Sequence, residues 1–250
     1  MDDPKIIYVE KFIVRYSEVD MYNNLKIRSV FDYLQQVAAT HATILGCGWD
    51  NMQKNQQIWV LQRMSLNIQK TIKAGDVLTV KTYPSGRERL FFRREFEVLA
   101  QSGEVVAVGS SYWLVIDGAT LRPTRNINVE LPEEIESYSR YCDYDNALKV
   151  TPDEIQNNFR YSNEFEVNYS SIDVNLHLNN ANYPMLVQDA LYGELQKKFN
   201  FKKFQISFNI ACKLDEKIRV FYKIENQEFK VAGVTDDNKI IFESAGTIEF

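Results

Sequence analysis

Residues 12–25, FIVRYSEVDMYNNL, and residues 165–178, FEVNYSSIDVNLHL, are two versions of one segment. Phe12, Val14, Tyr16, Ser17, Asp20 and Leu25 recur at a constant offset as Phe165, Val167, Tyr169, Ser170, Asp173 and Leu178. Self-similarity at a single long period points to duplication of a whole domain, because solenoid repeats return every 20–50 residues or so. Two related domains are therefore expected.

The sequence around each copy continues in parallel. Residues 8–16 and 163–170 alternate like strands. From Lys26 to Leu45, Ile27, Val30, Phe31, Leu34, Val37, Ala38, His41, Ala42 and Leu45 follow the 3- and 4-residue spacing of an amphipathic helix. In the second copy, Tyr183, Leu186, Val187, Ala190 and Leu191 mark a comparable helix. Strand candidates follow each helix: IWVLQRMSLNIQ, DVLTVKTY, FFRREFEVLA and EVVAVGSSYWLVI in the first half, then FQISFNIACKL, KIRVFYKIEN, FKVAGVT and KIIFESAGTIEF. One strand, one long helix and a run of antiparallel strands predict an α+β domain whose sheet curls around its helix. Between the copies, Asp117 to Gln156 holds Pro123, Pro132 and Pro152, with a short acidic helical patch at Glu133 to Ser137, and reads as a crossover linker.

Composition narrows the function. The 250 residues are 45% hydrophobic and 25% charged, which is globular rather than disordered or fibrous. A net charge of -5 argues against a general nucleic-acid binder, so any acidic partner must be met by a local basic patch. Cys47, Cys142 and Cys212 are odd in number and unpaired in spacing, which suits a reducing, cytoplasmic setting. The opening MDDPKIIYVEK lacks the basic region and apolar run of a signal peptide, and no stretch of about 18 apolar residues is present to span a bilayer. Two histidines and three scattered cysteines give no metal-ligand spacing, and no glycine-rich phosphate loop appears, so neither metal nor cofactor is expected.

Duplication separates what the fold needs from what one site needs. Tyr16, Ser17 and Asp20 recur, so Asp173 has two readings: a hydrogen-bonded turn, as at Asp20, or a role in chemistry. Asn175 stands opposite Tyr22 and His177 opposite Asn24, so the Asn-x-His pair belongs to the second copy alone. In an extended segment Asp173, Asn175 and His177 would project to one face. Asn179 or Asn180 would cap the following helix, bringing its free N–H groups to the same place. His41 continues the apolar stripe of its helix and reads as a packing residue.

SSIDVNLHLNNANY, residues 170–183, resembles the D-x-N-x-H-x-N-N segment, with its following tyrosine, of the acyl-acyl carrier protein thioesterases. Asp173, Asn175, His177, Asn179, Asn180 and Tyr183 match it. The resemblance covers nearly the whole chain and implies a tandem, or double, hot-dog. Residues 1–120 would then form an N-terminal hot-dog holding the acyl chain, 121–160 the linker and 161–250 a C-terminal catalytic hot-dog. It also implies hydrolysis of fatty acyl-acyl carrier protein in fatty acid biosynthesis. His177, whose imidazole can act as a base near neutrality, would take a proton from water. Asn175 would orient the ring or hold the thioester carbonyl, Asp173 would position His177 or the water, and the helix entrance at Asn179 and Asn180 would stabilise the oxyanion.

The family also carries a glutamate, beside a cysteine in plant members, on a strand after the second helix. Here those places fall on Ala211 and Cys212. Cys212 is either a nucleophile partnered by histidine or a small buried residue. The acidic carrier implied by the resemblance would meet Arg87 and Arg89, with Arg93 and Arg94, or Lys197 and Lys198, with Lys202 and Lys203. Either cluster is otherwise a solvated face. A coenzyme A thioesterase and a non-catalytic acyl-binding hot-dog are the alternatives, and a fused pair suits a monomer or a homodimer.

Overall fold

The computed structural model describes residues 6–124, 141–146 and 149–250. The chain runs β1 (Tyr8–Ile13), α1 (Ile27–Ile44), α2 (Trp49–Lys54), β2 (Gln57–Ile68), β3 (Val77–Glu88), β4 (Phe91–Ala100) and β5 (Val105–Asp117). It continues with α3 (Pro152–Asn158), β6 (Arg160–Glu166), α4 (Asn182–Leu195), β7 (Asn200–Phe208), β8 (Lys217–Glu225), β9 (Glu228–Val234) and β10 (Ile240–Glu249). All strands join one antiparallel sheet in the order β1-β3-β4-β5-β2-β7-β10-β9-β8-β6. Read outward from the central β2/β7 pair, both halves have the same strand order. This is the α+β double hot-dog expected from the sequence.

The apolar stripes explain why each sheet half wraps a helix. α1 buries Ile27, Val30, Phe31, Leu34, Val37 and Ala38 against the first half, and α4 buries Tyr183, Leu186, Val187, Ala190 and Leu191 against the second. One core runs through both, with Phe31 of α1 edge-on to Phe204 of β7 at 5.7 Å. The halves are also joined by backbone pairing from Arg63↔Ser207 to Asn67↔Lys203.

The opposite face of the sheet holds the connecting segment by buried carboxylates. Glu95 accepts from Ser85 Oγ at 2.6 Å, Arg93 Nε at 2.7 Å, the Tyr141 N–H at 3.0 Å and Ser110 Oγ. Arg93 also donates to the Cys142 carbonyl and Asp143. In the second half Glu243 accepts the Val150 N–H at 2.7 Å.

The structure corrects several boundaries. The strand expected over 163–170 spans Arg160–Glu166 and gives way to a 3-10 turn at Tyr169–Ser171. The strand expected through Leu214 ends at Phe208, so Ala211 and Cys212 lie in a connector. α2 and α3 were not anticipated, although Thr151, which accepts the Glu154 N–H before Pro152, is a recognisable helix start. The helical patch at Glu133 to Ser137 lies outside the described residues.

Candidate active site

The D-x-N-x-H segment is a closed turn rather than an extended strand. Ile172 bridges Leu178, the Asp173 N–H donates to the His177 carbonyl at 2.8 Å, and the Leu176 N–H donates to the Asp173 carbonyl at 3.0 Å. Asp173 Oδ1 accepts the Asn175 N–H at 2.8 Å, and Leu176 takes φ 63°. The side-chain alternation persists through this turn: Asp173, Asn175 and His177 are half-buried, while Val174 and Leu176 point outward, 73% and 75% exposed.

Helix α4 begins just beyond. Asn179 Oδ1 accepts the Ala181 N–H at 2.9 Å and its carbonyl accepts the Asn182 N–H at 2.9 Å, closing the entrance turn. Asn180 has neither role. Its backbone N–H and carboxamide make no hydrogen bond among the described residues, and neither does the Asn175 carboxamide.

Asp173, Asn175, Asn179 and Asn180 line a cavity of about 380 Å³. Its other wall comes from the first half: Ala38, Ala39 and Ala42 of α1, Trp49 and Met52 of α2, Trp59 of β2, Phe92 of β4 and Trp113 of β5. The three alanines leave the space, and the aromatic strand residues make it apolar. Gly48 sets α2 as its rim: a Cβ there would stand 2.4 Å from Thr43 Oγ1, so only glycine allows so tight a corner after α1. An apolar chamber with a few unpaired amide groups at one end is the usual form of a small-molecule site. A larger groove of about 630 Å³ opens on the other sheet face, but lysines and carboxylates such as Lys203, Lys230, Asp143 and Glu154 line it, and none of Asp173, Asn175, His177, Asn179, Asn180 and Cys212 does.

The remaining candidates are placed as follows. His177 belongs to the same turn but does not line the cavity, and its ring has no hydrogen-bond partner among the described residues. Cys212 is buried away from the cavity, and burial pushes its thiol up to about 11. Its carbonyl accepts the Leu178 N–H at 2.8 Å, as the Ile72 carbonyl accepts that of Leu25. Cys212 thus takes the seat of a buried isoleucine in the first half.

Of the arginine cluster, Arg87 and Arg89 are exposed on the β3–β4 hairpin beside the cavity, with Arg87 4.7 Å from the Phe92 ring centroid. Arg93 and Arg94 are buried, which corrects their reading as surface groups. Lys197 and Lys198 are exposed beyond the C-terminus of α4, about 20 Å along the helix from the cavity. His41 is buried as expected, but accepts a hydrogen bond from Arg94. Arg94 is the cavity residue that helix periodicity could not find; its strand alternation with Phe92 and Phe96 is the signal for an inward side chain.

Two family models match, the acyl-ACP thioesterase N-terminal domain over residues 5–135 and its C-terminal domain over residues 154–241. Oleoyl-acyl carrier protein thioesterase 2, chloroplastic, of Arabidopsis thaliana is 25% identical over 249 residues, covering 92% of this chain and 66% of the relative. The palmitoyl-acyl carrier protein thioesterase, chloroplastic, of the same plant is 26% identical, covering 84% and 53%. The chain therefore spans two thirds or less of the length of these relatives. An acyl-ACP thioesterase from Bacteroides thetaiotaomicron superposes with TM-score 0.87 at 21% identity, covering 97% of this chain and 98% of that one. The 12:0-ACP thioesterase from Umbellularia californica gives TM-score 0.76 at 16% identity, covering 97% and 94%.

Proposed function

Because the chain belongs to the acyl-ACP thioesterase family, we propose that it hydrolyses the thioester of fatty acyl-acyl carrier protein and releases free fatty acid, in fatty acid biosynthesis. One observation carries this reading: the cavity is mostly apolar where the first half walls it, with the charged Arg94 an exception, and it ends at the unpaired amides of the second-half turn. Such a chamber takes a hydrocarbon chain, each buried CH₂ contributing about 0.8 kcal/mol, and leaves the polar thioester beside Asn175 and Asn180.

In this mechanism the carbonyl oxygen gathers negative charge as water adds. The Asn180 N–H and the Asn175 carboxamide meet it as donors with no competing protein acceptor. His177 removes the proton from water after its ring turns toward the cavity. Asp173 holds the turn through its bond to the Asn175 N–H and leaves Oδ2 toward the water or the imidazole. Cys212 has a packing role, since a buried neutral thiol outside the cavity is a poor nucleophile.

The acidic carrier docks on Arg87 and Arg89, whose hairpin adjoins the cavity, rather than on Lys197 and Lys198 at the far end of α4. A reducing cytoplasm fits the three free, buried cysteines, and among the described residues no helix is long and apolar enough to cross a membrane.

Thiol release from matched acyl chains on carrier protein and on coenzyme A tests the whole reading. The carrier form is expected to be preferred, with Arg87→Glu removing much of the preference. His177→Ala and Asn175→Ala should each lower kcat by at least about 10² without loss of folding. Undiminished release by the folded His177 variant would remove the base assignment; acyl binding without release would favour a binding protein.

A further inference from the structure

Arg94 projects from β4 into the cavity wall between Phe92 and Phe96, only 9% exposed. Its Nη1 donates to His41 Nδ1 at 2.9 Å and to Thr82 Oγ1 at 3.2 Å. A guanidinium offers no acceptor, so Nδ1 is the unprotonated ring nitrogen. These bonds use both hydrogens of Nη1. The three N–H bonds on Nε and Nη2 meet no acceptor among the described residues.

No carboxylate among the described residues pairs with Arg94, whereas its neighbour Arg93 has Glu95 at 2.7 Å and Asp143 at 2.9 Å. Burial lowers the Arg94 pKa to about 10, which still leaves it charged near neutrality. The fold does not require this charge. The β3–β4 register sets Arg94 opposite Pro84, the β8–β9 register sets Phe229 opposite Ile224, and Pro84 and Ile224 lie equally far beyond Asp76 and Glu216. The second half thus fills the same place with a buried phenylalanine.

An unpaired cation in an apolar wall is costly unless a ligand supplies its counter-charge. The Nε/Nη2 edge is the planar fork that takes a carboxylate through two parallel bonds. We propose that Arg94 is a carboxylate site through which a free long-chain monocarboxylic acid occupies the acyl cavity, carboxylate first. The inference rests on the hydrolase reading in one respect: if the protein releases fatty acids, this occupancy is inhibition by product. A thioester has no such carboxylate and enters by its hydrocarbon end.

Binding can be measured without turnover, because Trp49, Trp59 and Trp113, the three tryptophans of the chain, all line the cavity. Titration of their fluorescence with dodecanoate and with methyl dodecanoate compares the same chain with and without the charge. The acid should bind at least about tenfold tighter, a difference of about 1.4 kcal/mol. Arg94→Met should erase that difference and Arg94→Lys should keep part of it, while dodecanoate should inhibit thiol release competitively in the unmodified protein. Equal binding of acid and ester by the unmodified protein, or a preference surviving in folded Arg94→Met, would overturn the site. Absence of thiol release with the binding preference intact would instead overturn the hydrolase reading alone.

Discussion

In the first half, Asp20 Oδ1 accepts the N–H groups of Tyr22 and Asn24, both at 2.9 Å; in the second, Asp173 Oδ1 accepts that of Asn175 at 2.8 Å. Val19 bridges Leu25 as Ile172 bridges Leu178, and the residue before each closing pair turns left-handed, Asn23 at φ 62° and Leu176 at φ 63°. Behind these matching turns the molecule differs. The Asn24 amide is buried without a hydrogen-bond partner among the described residues, beside a cavity of about 50 Å³ narrowed by Phe199 and Phe201. Its counterpart turn faces about 380 Å³, opened by the alanines of α1. The aspartate belongs to the fold in both halves. What one half adds is an amide at 175, an imidazole at 177 and room in front of them, and that room is supplied by the other half's helix.

The largest expected effect tests how each half grips the connecting segment. Glu95 uses both oxygens on four donors, one of them the buried Arg93. Glu95→Gln puts an amide N–H against those donors and removes the main counter-charge, so it should cost about 3–5 kcal/mol in urea unfolding. Glu243→Gln keeps an acceptor for the Val150 N–H and should cost about 1 kcal/mol or less. Equal costs would mean that the Arg93 network is no tighter than a single hydrogen bond.

Asp20→Ala and Asp173→Ala come next. Loss of two backbone bonds at Asp20 should cost about 1–2 kcal/mol and leave turnover intact, whereas Asp173→Ala should cost less in stability and lower turnover. Unfolding midpoints and thiol release on the same two preparations separate these outcomes. If Asp173→Ala changes stability alone, the turn reading is its whole role.

The duplication was legible because Phe12/Phe165 and the matches after it report a backbone shape required twice, and periodicity in α1 and α4 followed from their burial. The turn was not, because period-two alternation at Asp173, Asn175 and His177 is also what a turn produces when a left-handed Leu176 keeps every second side chain outward. The cavity was invisible for a different reason. Ala38 and Ala42 read as ordinary members of an apolar stripe, and only packing against strands from the same half and a turn from the other shows that their smallness leaves space. Arg94 was misread as surface because charge alone says nothing of which strand face it occupies.

A smaller effect probes the first-half turn from the opposite direction. Asn24→Leu replaces an amide whose two polar atoms lack partners among the described residues in a buried setting. It should raise stability by about 1 kcal/mol without altering thiol release, since leucine has the same number of side-chain heavy atoms and the adjoining space of about 50 Å³ takes its bulkier methyls. A loss of activity would show that the first turn communicates with the second.

The smallest effect is expected where the sequence suggested a nucleophile. Cys212 and Ile72 offer their carbonyls to matching partners, Leu178 and Leu25, and each is followed by a lysine whose N–H donates to a carboxylate three residues on, Glu216 at 2.9 Å and Asp76 at 2.8 Å. Equivalent seats impose equivalent demands, and an isoleucine meets this one without sulfur chemistry. Cys212→Ala should cost about 1 kcal/mol for the lost packing and change kcat by no more than about twofold. With its thiol pushed up to about 11 by burial, Cys212 should also resist alkylation by iodoacetamide at neutral pH. A drop in kcat comparable to that of His177→Ala, measured on folded protein, would break the equivalence with Ile72 and return Cys212 to the chemistry.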